Sequence, residues 1–297
     1  MILLNKYLLS VYGFRFPVLL TLFHMLSCTL CCATVVSIGL VPLQKLKSTK
    51  HAIKVATLAF VFCCSIVAGN ISLRFIPVSF SQAIGATTPI FTAIFAAMFG
   101  RIESGRTYCA LIPIVIGIVL ASRAEPNFHL VGFSAAVLAT AGRALKSVLQ
   151  SLLLASGDEQ LDSMNLLMYM APMAALMLFP ATIVMETEAF SQVMELASSS
   201  TYFIVLLLLN AMFAFLVNLY NFLVTKYTSA LTLQVLGNAK GVLATFISVL
   251  IFKNKVTLVG LLGYGIAIAG VVLYSNEKKR TGKERMHTLE KVRVGHS

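Results

Sequence analysis

Arg143 and Lys146 stand three residues apart in an otherwise apolar run, and Gln150 follows Lys146 by four. A helix through this stretch presents two cations and an amide on one face. A second group has the same character: Gln234 and Asn238 are four apart, Lys240 follows within the same apolar run, and Gly237 and Gly241 flank it. Such glycines let a backbone approach a ligand or a neighbouring helix closely. Lys6 adds a cation near the amino terminus, and Tyr220 and Asn221 add polar groups to a third apolar run. Side chains of these types bind anions. The patterns required for covalent or metal chemistry are missing: the sequence has no histidine box, no paired carboxylates for a metal and no GxSxG elbow. The expectation is therefore a binding protein rather than an enzyme, with no catalytic residue, no metal and no cofactor.

The distribution of charge supports this reading. All eleven Asp and Glu residues fall in connections or in the tail, whereas Arg143, Lys146 and Lys240 lie inside apolar runs. Each such cation at mid-bilayer costs roughly 2.5–3.5 kcal/mol, so three cost on the order of 9 kcal/mol with no acidic partner to offset it. They must face a hydrated cavity or an anion. Proton- and sodium-coupled carriers ordinarily bind their ion with an intramembrane carboxylate, so its absence favours anion exchange. Plainer roles exist for some of these groups: Arg143 can snorkel to helix-end carbonyls, and His24, Asn218, Tyr220 and Asn221 can hydrogen-bond between helices.

The elements that must position these side chains are membrane helices. The chain has 297 residues, of which 58% are hydrophobic and 11% charged, with a mean hydropathy of +0.89. A soluble domain carries roughly a quarter charged residues. The fold class is an all-α polytopic membrane protein, with the lipid bilayer as a partner and no role for nucleic acid. Apolar runs read as nine spans near 16–38, 53–73, 79–99, 107–122, 130–152, 164–185, 201–224, 230–252 and 257–275. The six cysteines lie in these runs without metal-ligand spacing, and no cleavable signal peptide is visible. Placing alternate connections on opposite sides puts fourteen Lys and Arg residues on the side of the C-terminus and five on the other. The C-terminus, with a basic and disordered tail over 276–297, is therefore expected in the cytoplasm. The connection 156–163 departs from the pattern, carrying Asp158, Glu159 and Asp162 and no cation.

An internal repeat organises the spans. SFSQAIGATTPIFTAIFAAMFGR (79–101) matches LTLQVLGNAKGVLATFISVLIFK (231–253), aligning Gln82 with Gln234 and Gly85 with Gly237. GIVLAS (117–122) matches GVVLYS (270–275) at nearly the same offset. The unit is five spans, an odd number, so the second copy is inverted in the membrane, as in many secondary transporters. The expected architecture is a ten-helix inverted repeat of five plus five: residues 1–122 form the first repeat and 129–275 the second. The first helix is then truncated in this chain to a stub over 1–12, on which Lys6 corresponds to Lys146.

Four segments resemble a known family: ISLRFIPVSFSQAIGATTPIFTAIFA (71–96), GRALKSVLQSLLLAS (142–156), SMNLLMYMAP (163–172) and SALTLQVLGNAKG (229–241). They are similar to plant nucleotide-sugar transporters related to the triose-phosphate translocators, within the drug/metabolite transporter superfamily. The resemblance covers nearly the whole chain. It implies a ten-helix carrier of the Golgi or ER membrane that exchanges cytosolic nucleotide sugar for lumenal nucleoside monophosphate. The subgroup it looks most like handles UDP-linked uronic acids, xylose and arabinose, and the same resemblance admits a homodimer. Gly237-Asn238-Ala239-Lys240 looks like the motif that holds sugar and phosphate, which implies that Lys240 faces the diphosphate. Tyr169 and Met170 stand near the base-reading motif, but lack the paired Asn that accompanies a guanine nucleotide. Gly241 stands where plastid phosphate translocators carry Arg, which counts against triose-phosphate/phosphate exchange. The alternative cargo is a sugar phosphate or phosphoenolpyruvate exchanged for phosphate; a non-transporting scaffold is the reading from a different class.

Overall fold

The computed structural model describes residues 4–5, 7–76, 81, 84–85, 87–101, 104–122, 129–155 and 160–239, and individual positions between 259 and 280. None of the described residues forms a strand. After a π-helical turn at Tyr7–Val11, the helices are α1 (Pro17–Ser37), α2 (Thr49–Phe75), α3 (Thr88–Met98), α4 (Gly105–Cys109), α5 (Ile112–Ser122), α6 (Leu130–Leu154), α7 (Ser163–Met185), α8 (Ala189–Ser199) and α9 (Thr201–Tyr227). Residues 230–239 are also helical. Five of these, α1, α2, α6, α7 and α9, are long and apolar enough to cross a membrane. They coincide with spans read from the sequence. The runs at 79–99, 230–252 and 257–275 lie partly outside the described residues, as do Lys6, Gln82, Lys240 and most of the tail.

The helices start and stop where their sequences require. Ser48 caps α2 by accepting from the His51 amide, Asp162 caps α7 through Met164, and Pro17 occupies the first turn of α1, where no amide donor is needed. In lipid, burying apolar surface between helices gains little, so close packing decides which faces meet. The most extensive contact joins α2 and α6, and the next joins α1 and α7. A Cβ at Gly142 would meet Ser65, at Gly69 would meet Ala139, and at Gly132 would meet Phe75 and Ile76. That register, with one number rising as the other falls, makes α2 and α6 antiparallel.

Both ends of the α1–α7 pair are clamped by polar groups. At one end, the Glu186 carboxylate following α7 accepts from the amides of Val18 at 2.8 Å and Leu19 at 2.9 Å, capping α1 from the other half of the chain. Arg74 at the end of α2 donates to the Met185 carbonyl at 2.9 Å. At the other end, the connection after α1 is fastened to α7. The Gln44 amide donates to Asn165 at 3.0 Å, Gln44 Oε1 accepts from the Asp162 amide at 2.6 Å, and Asn165 donates to the Pro42 carbonyl at 3.1 Å. Lys226 at the end of α9 pairs with Asp162 at 2.6 Å. The acidic connection that broke the charge pattern thus has a cationic partner. This bond, with the amides of Met164 and Ser163, outweighs the opposing effect of burial and holds the Asp162 pKa below its ordinary value.

Glu186 behaves oppositely. Burial pushes its pKa up, and the two amides and Arg74 only partly oppose this. A carboxyl whose folded pKa is raised is protonated in the folded chain at pH values where the unfolded chain is ionised. Its contribution is complete below the unfolded value of 4.5 and is lost as pH rises through the folded one. Wild-type protein should therefore gain thermal stability relative to Glu186→Gln as pH falls from neutral toward the unfolded value of 4.5. A difference in melting temperature that stays constant across this range would contradict the assignment. Asp162 titrates below this window, so it does not confound the comparison.

Candidate functional site

The face of α6 that carries Arg143 and Lys146 turns into the protein rather than toward lipid. Lys146 is partly buried; its Nζ donates to Gln150 Oε1 at 2.7 Å and sits 5.0 Å from the ring centre of Phe222 on α9 and 5.8 Å from that of Phe62 on α2. Aromatic faces attract a cation through their quadrupole without neutralising it. Gln150 is fully buried. It donates to Thr225 Oγ1 at 2.7 Å and to the Asn221 carbonyl at 3.2 Å, both on α9. Arg143 is one turn closer to the start of α6. It is exposed although it lies at the middle of the helix. Its guanidinium lies over Gly85, where a Cβ would come within 3.2 Å of Nη2. Any larger residue at 85 would crowd it.

The segment 230–239 docks beside this face. The Gln234 amide donates to the Ser147 hydroxyl, which itself donates to the Arg143 carbonyl at 3.0 Å. Gly237 has no atom of the described residues within 4 Å of the position a Cβ would take. Asn238 is half-buried one turn beyond Gln234. The structure therefore brings together Arg143, Lys146, Asn221 and Gln234, with Gly237 and Asn238 on the adjoining helix. Two candidates point elsewhere: Tyr169 donates to the Gln44 carbonyl at 2.8 Å, in the clamp on the connection after α1, and Tyr220 is 65% exposed on the outer side of α9. Lys240 and Lys6 lie outside the described residues. His24, a plain helix-to-helix hydrogen bonder by its sequence context, bonds Asn210, which donates in turn to Asn5 at 2.6 Å.

Thr225, Ser147, Phe62 and Phe222 were not among the sequence candidates. Asn221 and Thr225 are four apart, the same signal that marked Gln150 and Lys146, and could have found Thr225. Nothing local marks the two phenylalanines in a chain that has 20 of them.

Among the described residues no carboxylate lies within ion-pair distance of Arg143 or Lys146; the pair at Lys226 and Asp162 is at the helix ends. What this face can do chemically is neutralise an anion. The triose-phosphate transporter family model matches residues 1–275. The chain belongs to this family. Over 281 residues, 94% of this chain, it is 55% identical to UDP-uronic acid transporter 1 of Arabidopsis thaliana, covering 91% of that protein. It is 54% identical to a probable sugar phosphate/phosphate translocator of the same plant, again over 94% of this chain and 91% of the relative. UDP-galactose transporter 1 of Arabidopsis thaliana is 32% identical over 92% of this chain and 81% of its own length. A known crystal structure superposes with a TM-score of 0.68 over 94% of this chain and 95% of its own at 15% identity, which shows a shared fold. Membership of the family makes the chain a multi-pass membrane transporter, and it supports, at the level of the family, a role other than catalysis.

Proposed function

We propose that this protein is an alternating-access antiporter that carries a UDP-sugar into the Golgi or ER lumen in exchange for UMP. The observation that carries the reading is a pair of cations on one face of α6, Arg143 and Lys146, that have no carboxylate partner among the described residues and are set in a polar cluster inside a membrane protein. A diphosphate supplies the missing negative charge. The relatives named for UDP-uronic acid and UDP-galactose point to a nucleotide sugar as the bearer of that diphosphate. In this reading Lys240, Lys146 and Arg143 neutralise the phosphates. Gly237, Asn238, Gln234 and Asn221 contact the sugar and phosphate, and Lys6 faces the cavity from the first helix. The two five-helix repeats, 1–122 and 129–275, rock about the site, with the C-terminal tail 276–297 in the cytoplasm.

A second reading, exchange of a sugar phosphate for phosphate, is favoured by the 54% identical relative named for that activity. The readings separate in liposomes. Purified protein in vesicles loaded with UMP should take up a labelled UDP-sugar, and vesicles loaded with phosphate should not. A panel of UDP-sugars and GDP-sugars then identifies the cargo. Uptake driven by internal phosphate and indifferent to UMP would replace the first reading by the second. Within the first, Lys240→Ala should abolish uptake, and unchanged uptake would remove Lys240 from the site.

A further inference from the structure

Gln150 is bonded in a single sense, and that sense is imposed from α9. A backbone carbonyl only accepts, and the carbonyl of Asn221 receives both Gln150 Nε2 at 3.2 Å and the Thr225 hydroxyl at 2.8 Å. With its proton committed to that carbonyl, Thr225 Oγ1 has a lone pair for Gln150 Nε2, which it meets at 2.7 Å. Both α9 partners therefore demand the NH2 side of the amide. The opposite side, Oε1, is turned to α6, where it receives Lys146 Nζ at 2.7 Å.

We propose that Thr225 is a positioning residue for anion binding: acting through Gln150, it holds the Lys146 ammonium in place on an uncharged acceptor. This rests on the reading of the α6 face as an anion site. The neutrality of the relay is its point. A carboxylate at position 150 would hold the lysine as well, but would cancel the charge that the cargo must meet. An amide oxygen and the rings of Phe62 and Phe222 restrain the ammonium and leave its charge available. Thr225 itself is 3% exposed and reaches Lys146 only through Gln150.

Thr225→Val keeps the shape and removes the acceptor. Gln150 Nε2 then keeps only the longer bond to the Asn221 carbonyl at 3.2 Å, so the amide is held less firmly and its oxygen fixes the Lys146 ammonium less well. Thr225→Ser restores the hydroxyl without the methyl group. The full chain, reconstituted in UMP-loaded vesicles, is assayed for the KM and maximal rate of UDP-sugar uptake; in detergent, its affinity for inorganic pyrophosphate is read from the rise in melting temperature. The expected result is a KM and a pyrophosphate dissociation constant raised about tenfold in Thr225→Val, a maximal rate within about twofold of wild type, and recovery of both affinities in Thr225→Ser. A merely structural threonine would lower the melting temperature without moving affinity. Unchanged affinities in Thr225→Val, or affinities in Thr225→Ser as poor as in the valine variant, overturn the relay. Wild-type protein that ignores UDP-sugar but binds pyrophosphate with this pattern overturns the cargo and leaves the relay standing. Wild-type protein that binds neither overturns both.

Discussion

Lys146→Ala should abolish exchange of the anionic cargo while making the protein more resistant to heat. The two effects have one cause. A buried cation inside the membrane costs roughly 2.5–3.5 kcal/mol on insertion scales, and here no carboxylate among the described residues repays it. Gln150, Phe62 and Phe222 offset only part of that cost. Removing the ammonium relieves the folded state and deprives the cargo of its partner. Truncating one member of a buried charge pair costs about 2–5 kcal/mol of binding, so affinity should fall by about thirtyfold to several thousandfold. Lys226→Ala is the control. Lys226 is paired with Asp162 at a half-exposed helix end, and such pairs contribute at most about 1 kcal/mol. Its loss should leave uptake nearly intact. Lys146→Arg keeps the charge but presents a broad planar group to a space shaped by one amide oxygen and two rings, so it should recover binding only in part. Initial uptake rates over a range of cargo concentration, with a melting curve for each variant, decide the matter. Retained affinity, or a melting temperature that drops along with transport, would make Lys146 a structural residue.

The grouping of Arg143, Lys146 and Gln150 on one face of α6 was legible in the sequence because helical spacing alone places them together, and cations without acids inside apolar runs demand an explanation. The spans coinciding with α1, α2, α6, α7 and α9 were legible for a similarly local reason: length and apolarity in a single stretch. What escaped is everything that depends on which helix faces which. A membrane helix is apolar on all sides, so its sequence carries little sign of the face it packs. The Glu186 cap on α1 joins residues 168 positions apart, and the Gln150 bond to Thr225 joins residues 75 apart; no periodicity announces either. Tyr169 shows the limit most clearly. A motif resemblance made it a base reader, whereas the described geometry has its hydroxyl on the Gln44 carbonyl, in the clamp between α7 and the connection after α1. Both placements fit the same local sequence, and only the long-range fold distinguishes them.

Gly142→Val should separate α2 from α6 and disable the site without touching any charged group. A Cβ at 142 would stand 2.9 Å from the Ser65 Cβ and 3.4 Å from its Cα, and a backbone atom cannot swing aside as a side chain can. The helices must therefore part. Membrane helices are held by fit rather than by hydrophobic burial, so lost contact is not recovered by covering apolar surface. Overpacking of this kind costs typically 1–3 kcal/mol, and a clearly lower melting temperature is expected. The functional loss follows from position. Arg143 is the next residue, Lys146 is one turn on, and Phe62, one of the two rings beside Lys146, is one turn from Ser65 on the opposing helix. A shift of α2 from α6 widens that space and weakens cargo binding. Gly237→Ala, with no atom of the described residues within 4 Å of the new Cβ, should leave the melting temperature unchanged. The decisive measurement is a pair of variants. Gly142→Ala brings the close contact in its mildest form, and Ser65→Gly removes the nearest of the Ser65 atoms it meets. If crowding is the cause, the double variant should be more stable than Gly142→Ala alone, even though Ser65→Gly sacrifices a hydrogen bond from the serine hydroxyl to the Phe62 carbonyl at 2.7 Å. Strictly additive losses would mean that the glycine serves helix conformation instead, and that the spacing of α2 and α6 does not set the geometry of the cation face.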